Sequence, residues 1–288
     1  ELCDLPESIQ DGRCAISGGP FDGRTLRDVI EHDAAALLGD VALSPEGGFP
    51  LLLKYLDAND NLSVQVHPDD AYVRRHPEAR LKSEAWHILD AQPGSVIYAG
   101  LKPGVDRDSF AQAIEDGTVV DKLVAIPAVP GECHYLPSGT CHALGAGVLV
   151  AEVQTPSDTT FRVWDWGRTS RELHIEQALE CIDFSGVSVC KPRPASMESD
   201  GITRTALVDV EHFRIEHMLL DDGTAFNFEV GHAPVAIMVL DGGSKLRTGD
   251  ETMMLQKGRT ILLPAQREIS QVLESNQLEL LVITLQAC

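Results

Sequence analysis

The chain has 288 residues, 43% hydrophobic and 23% charged, and its 44 Asp+Glu against 23 Lys+Arg give a formal charge of −21. That composition describes a globular protein with an ample core and excludes disordered, collagenous and coiled-coil chains. Nucleic acid is a poor partner for so acidic a chain, because phosphates must be neutralised by Lys and Arg, so any anionic ligand has to meet a local basic pocket.

The first predicted element is a helix over 22–39, where Thr25 and Asp28 fit a loose capping box, Leu26, Val29, Ile30, Leu37 and Leu38 recur at helical spacing, and Gly39 supplies a stop. From Phe49 onward, short apolar or alternating runs separated by Gly, Pro, Asp and Asn predict strands over 50–56, 62–67, 85–89, 95–98, 131–136 and 147–154. Helices interrupt this pattern after Pro68-Asp69-Asp70, over 106–115 and over 171–181. The Pro-rich run 191–196 reads as a linker, and strands resume over 205–210, 212–219, 235–240, 245–248, 259–263 and 278–284, broken by Asp-Gly-Gly and Thr-Gly-Asp turn signals. The expected fold is mainly β, two tandem jelly-roll barrels with a few short helices in or beside the first. The expected division is a first domain over 1–188, a linker over 189–203 and a second barrel over 204–288.

No apolar window reaches the ~18 residues of a membrane span, since Lys54, Glu152 and Asp241 break the longest stretches. Seven scattered cysteines without a Cys-x-x-Cys pair argue against a disulfide framework and for a reducing, cytoplasmic setting. The expectation is a protein that binds neither membrane nor nucleic acid; the oligomeric state is left open.

Three clusters carry chemistry. In an extended 62–67, Ser63, Gln65 and His67 point to one face and Val64 and Val66 to the other, and Lys82 and Glu84 likewise share a face. Residues 131–142 follow a Gly-x5-Pro-x-Gly-x2-His pattern in which a tight turn delivers His142 at the start of a strand. Gln65, His67, Glu84 and His142 together offer two nitrogen and two oxygen donors, a set suited to zinc or another first-row divalent ion with an open position. Arg162 and Arg168 bring guanidinium forks that match phosphate oxygens in geometry and charge; each alone could equally pair with a surface carboxylate.

The pattern of 131–142 is similar to the second signature of cupins, small β-barrels with an internal metal. Gln65-Val66-His67-Pro68-Asp69-Asp70, Lys82-Ser83-Glu84-Ala85-Trp86, Pro137-Ser138-Gly139-Thr140-Cys141-His142-Ala143-Leu144 and Ser157-Asp158-Thr159-Thr160-Phe161-Arg162 resemble, in order, the signatures of type I phosphomannose isomerases in their short bacterial form. The resemblance implies a zinc enzyme that interconverts mannose 6-phosphate and fructose 6-phosphate through an enediolate, with one zinc per chain. It implies Gln65, His67, Glu84 and His142 as metal ligands, Arg162, Glu152 and Lys82 as catalytic residues, and Ser63 and Arg168 as groups that line the pocket and hold the phosphorylated sugar. The proton-transferring base stays open between Glu152, a lysine-activated carboxylate and a metal-bound water. Family members usually begin with a Trp-Gly-Gly segment, of which Glu1-Leu2 looks like the tail, so a strand or two of the barrel is expected to precede Glu1. In the second barrel 258–265 keeps a remnant of the cupin signature without its His, and no metal is expected there. A non-catalytic sugar-binding or regulatory cupin and an iron-dependent cupin oxygenase are the alternatives.

Overall fold

A computed structural model describes residues 1–185, 195–229 and 231–286. In chain order its elements are α1 (Leu26–Leu38), β1 (Leu52–Ala58), β2 (Val64–Val66), α2 (Asp70–Arg75), β3 (Glu84–Ala91), β4 (Val96–Leu101), α3 (Arg107–Glu115), β5 (Leu123–Pro127), β6 (Cys133–Leu136), β7 (His142–Leu144), β8 (Val148–Gln154), β9 (Phe161–Trp164) and α4 (Ile175–Cys181). They continue as β10 (Ser196–Ser199), β11 (Ile202–Asp209), β12 (Phe213–Leu220), β13 (Phe226–Phe228), β14 (Val235–Thr248), β15 (Glu251–Gln256), β16 (Thr260–Leu263) and β17 (Ser270–Leu285). The fold is mainly β with short helices, as the alternating runs predict.

Local chemistry sets the helix ends. The Thr25–Asp28 capping box closes α1, with Asp28 Oδ2 accepting from Thr25 N at 2.7 Å, and Asp69 caps α2 by accepting from Tyr72 N at 2.7 Å. The helix expected over 171–181 forms only from Ile175. Before that point Arg171 is drawn to Asp165 by a 2.6 Å ion pair, and His174 N is bonded to the Arg162 carbonyl at 2.8 Å, which holds this stretch along β9.

The chain divides into two compact units, Leu53–Lys191 and Glu1–Leu52 together with Pro192–Cys288. The first 52 residues therefore group with the C-terminal strands, not with the first barrel as the expected boundary at 188 had it. Backbone bonds explain the grouping: Ala265 N and Gln266 N donate to the carbonyls of Leu37 and Ala36, each at 2.9 Å, and satisfy acceptors that the end of α1 leaves open. Of the expected linker over 189–203, residues up to 194 lie outside the described residues, and Ser196–Ser199 forms β10, antiparallel to β11.

In the unit Leu53–Lys191, a four-stranded sheet of order β1-β8-β3-β6 faces a five-stranded sheet of order β5-β4-β7-β2-β9. Trp86, Ile88, Leu136, Val148 and Val150 from the first sheet and Ile97, Ala99 and Leu144 from the second form one core between them. The other face of the five-stranded sheet carries Val64, Val66, Ala143 and Val163, which pack on Tyr72, Phe110, Ile114 and Ala178 of the helices. Strand alternation fixes the consequence: with these apolar side chains turned to the helices, Gln65, His142 and Arg162 turn inward, toward β3 and β8.

In the other unit, β14 and β17 run through an eight-stranded sheet. The Asp241-Gly242-Gly243 segment, expected to be a turn between two strands, is instead a bend inside β14. Gly242 sits at φ +75°, where a Cβ would meet the Gln277 carbonyl oxygen, and the ladder to β17 slips register on both sides of Asp241. The bend lets β14 pair with β16 over its first half and with β15 over its second, and Val235, Ile237, Val239, Leu278, Leu280 and Val282 fill the core.

Candidate metal centre

Gln65 is the central residue of β2, and its Cα partners are His142 on β7 and Arg162 on β9. Cross-strand partners share a face, so the register alone sets these three side chains side by side. Across the interior, Glu84 opens β3 opposite Gln154 of β8, and Trp86 lies opposite Glu152. The apolar end of the interior is closed by Ile88, Val148 and Val150, which leaves the polar end to the site.

His67, Glu84 and His142 are all buried and bring one ligating atom each to within 4.8 Å of one another. His142 Nε2 is 3.1 Å from Glu84 Oε1 and His67 Nε2 is 3.5 Å from Glu84 Oε2. The other ring nitrogens decide the tautomers. His67 Nδ1 is 3.0 Å from the Thr159 carbonyl oxygen and His142 Nδ1 is 2.7 Å from that of Thr140. A carbonyl oxygen can only accept, so both Nδ1 atoms carry a proton and each ring turns its Nε2 toward the Glu84 carboxylate. Burial, reinforced by the charge of Lys82, pushes the His67 pKa down to about 3 and keeps that ring neutral. His67 Nε2 is buried among these groups, and the Glu84 carboxylate is the anion between the two rings. Two ring nitrogens and a carboxylate thus converge in the buried interior, a donor set that suits a divalent cation.

Gln65 lies beside these three groups. Its amide nitrogen is 3.3 Å from His142 Nε2 and its amide oxygen accepts from Ser63 Oγ at 3.4 Å. A half-turn of the amide exchanges the two atoms at little cost in shape and offers oxygen to a cation. Lys82 Nζ is 2.9 Å from Glu84 Oε2. Burial works against the charge of both groups, but their mutual attraction wins: the Lys82 pKa is raised and the Glu84 pKa is held well below the carboxylate range.

Beyond the donor set, Arg162 Nε donates to Ser63 Oγ at 3.1 Å and its Nη1 to the Glu172 carbonyl at 3.0 Å, so Ser63 links the guanidinium to Gln65. Arg168 is engaged elsewhere: its Nη2 is 2.7 Å from Asp165 Oδ1 and 2.7 Å from the Asn61 carbonyl. Glu152 is buried, 3.1 Å from Lys54 Nζ, and its pKa is raised by burial and by the neighbouring charge of Glu84.

Comparison with known proteins agrees with this geometry. Residues 17–86 match the model of the phosphomannose isomerase type I catalytic domain. The mannose-6-phosphate isomerase of Streptococcus mutans is 33% identical over 259 residues, which is 88% of this chain and 79% of that protein. The chain belongs to the type I phosphomannose isomerase family. The crystal structure of the Bacillus subtilis mannose 6-phosphate isomerase superposes with a TM-score of 0.86 at 30% identity, covering 95% of this chain and 86% of that one. A zinc-bound holo structure of mannose 6-phosphate isomerase shares the fold, with a TM-score of 0.72 at 16% identity over 95% of this chain and 88% of that one.

The structure of this phosphomannose isomerase family member also shows polar groups that the motifs left out. Lys54, a lone cation in the apolar run 51–56, reaches Glu152 and, at 3.4 Å, Gln154 Oε1. Its isolation among leucines was the available signal. Asp165 and Arg171 were also missed. The buried Asp165 carboxylate takes Arg168 and Arg171 together, and nothing in the sequence separates that pairing from ordinary surface ion pairs.

Proposed function

We propose that the chain is a zinc-dependent aldose–ketose isomerase that interconverts mannose 6-phosphate and fructose 6-phosphate through an enediolate. The observation that carries this reading is the convergence of His67 Nε2, His142 Nε2 and the Glu84 carboxylate beside Gln65, with Arg162 as the next side chain on the same sheet face. His67, Glu84, His142 and Gln65 would hold zinc, which when bound supplies a Lewis acid for negative charge on the sugar oxygens.

The chain's own residues do the rest. Moving a proton between C2 and C1 needs a base against a weak carbon acid, and Glu152 is tuned for it, because its raised pKa makes it a stronger base than an ordinary carboxylate. Lys54 orients that carboxylate through its 3.1 Å contact. Lys82 holds Glu84 and keeps a positive charge in the interior. The Arg162 guanidinium, fixed by Ser63 and the Glu172 carbonyl, offers charge to an oxyanion. Arg168 and Arg171 share a single carboxylate, Asp165, and Arg162 feels the charge of Arg171, which together with burial pushes its pKa down. In a chain of charge −21 this local basic surplus fits the phosphate of the sugar.

A coupled assay of mannose 6-phosphate conversion tests the reading. Turnover lost on chelation and restored by zinc, together with no turnover of unphosphorylated mannose, is the expected result; full turnover by metal-free protein would reject it. A non-catalytic cupin would bind the sugar phosphate and convert none.

A further inference from the structure

We propose that Cys3 and Cys14 form a peroxide-responsive dithiol that closes to a disulfide, a modification site apart from the metal centre. An antiparallel bridge pairs Asp4 with Arg13, which sets Cys3 directly opposite Cys14, and Cys14 N donates to the Cys3 carbonyl at 3.2 Å. The two sulfurs are 3.2 Å apart. Hydrogen-bonded antiparallel partners have Cα atoms about 5.5 Å apart, inside the roughly 4.4–6.8 Å that a disulfide spans, so closure needs side-chain rotation and no backbone movement. The hairpin is held in this register from outside: the buried Asp4 carboxylate accepts from Arg27 Nε at 3.1 Å and from Phe49 N at 2.9 Å, and Leu5 N donates to Gly12 O at 2.7 Å.

The two thiols are unequal. Cys3 is buried and packs with Leu5 and Leu52, whereas Cys14 is half-buried and open to a small oxidant. The two thiols share a hydrogen bond, and that contact brings the Cys14 pKa down to about 6 and pushes that of Cys3 up. Chemistry follows in that order. The Cys14 thiolate attacks the distal oxygen of a hydroperoxide and becomes a sulfenic acid; the O–O bond breaks, and the departing alkoxide or hydroxide takes a proton. Cys3 sulfur then attacks the sulfenic sulfur, the S–S bond forms and water leaves with the Cys3 proton. Two thiols are oxidised and one peroxide is reduced. Cys133, Cys141 and Cys181 are buried, with thiol pKa values pushed up by burial, and serve as internal controls.

The test is hydrogen peroxide treatment of the folded chain, blocking of free thiols with N-ethylmaleimide, and peptide mapping. The expected product joins the Cys3 and Cys14 peptides, is lighter by two hydrogens and is reversed by dithiothreitol, while Cys133 and Cys141 stay alkylatable after unfolding. In Cys3→Ser, Cys14 should stop at a sulfenic acid that dimedone traps, and its alkylation midpoint should rise from about 6 toward that of an ordinary thiol. Recovery of both cysteines as free thiols after another cysteine has been oxidised would overturn the proposal. So would passage of Cys14 to sulfinic acid as readily in the parent as in Cys3→Ser. Should Cys3→Ser fail to fold, the parent map decides alone.

Discussion

His142 Nε2 stands 3.1 Å from Glu84 Oε1 while His142 Nδ1 is committed to the Thr140 carbonyl, so the ring is fixed with Nε2 turned to the carboxylate. That orientation, with His67 on the other carboxylate oxygen, gives a cation a place between the two sheets. His142→Ala should therefore lose both metal and isomerisation, with metal content falling from one per chain to none in gel-filtered protein. Metal analysis alongside circular dichroism checks it; a folded His142→Ala that retains its zinc would show that the ion sits elsewhere.

Arg162 touches Ser63 and the Glu172 carbonyl, and none of the proposed donors directly. Arg162→Ala should keep zinc and fold yet lose kcat by roughly 100- to 1,000-fold, the cost typical of removing one donor to a developing oxyanion. Steady-state kinetics with metal analysis reads both quantities, and parental kcat would remove Arg162 from the chemistry.

The Asp165 carboxylate makes a pH prediction. Burial alone would raise its pKa, but hydrogen bonds from Arg168 and Arg171 outweigh burial and leave it below the usual range. A depressed carboxyl pKa contributes stability that is present above the unfolded pKa, about 3.9 for Asp, and is lost as pH falls through the folded value. Asp165→Asn should lower the urea midpoint at neutral pH and flatten its decline below about pH 4. An acid limb as steep as the parent's would mean that another carboxyl drives it.

Much of the centre was legible because strand alternation is a strong constraint. Ser63, Gln65 and His67 share a face by period two, and the Pro-x-Gly turn delivers His142 to the strand beside them. What stayed hidden depends on contacts between distant segments. Lys54 reads as one cation in an apolar strand until β1 is laid beside β8 and Nζ meets Glu152. The grouping of residues 1–52 with the C-terminal strands rests on backbone bonds from Ala265 and Gln266 to α1, for which side-chain pattern carries no signal. The Asp-Gly-Gly bend was misread because the same residues serve a tight turn or a bulge, and only the opposing Gln277 backbone decides between them.

That bend is itself testable. Gly242→Ala places a Cβ at φ +75° against the Gln277 carbonyl and should destabilise its unit by about 2–4 kcal/mol, combining left-handed strain with a backbone clash. Urea unfolding measures it, and an unchanged midpoint would show that the ladder of β14 and β17 can shift to make room.

His67, Glu84, His142 and Gln65 should together bind one ion. An anomalous difference map at the zinc edge, from crystals grown with zinc, tests it most directly. One peak is expected, about 2.0–2.2 Å from both Nε2 atoms, a Glu84 oxygen and the Gln65 amide oxygen. A map without density between those side chains, or with its peak on other residues, would show that this cluster is not the metal site.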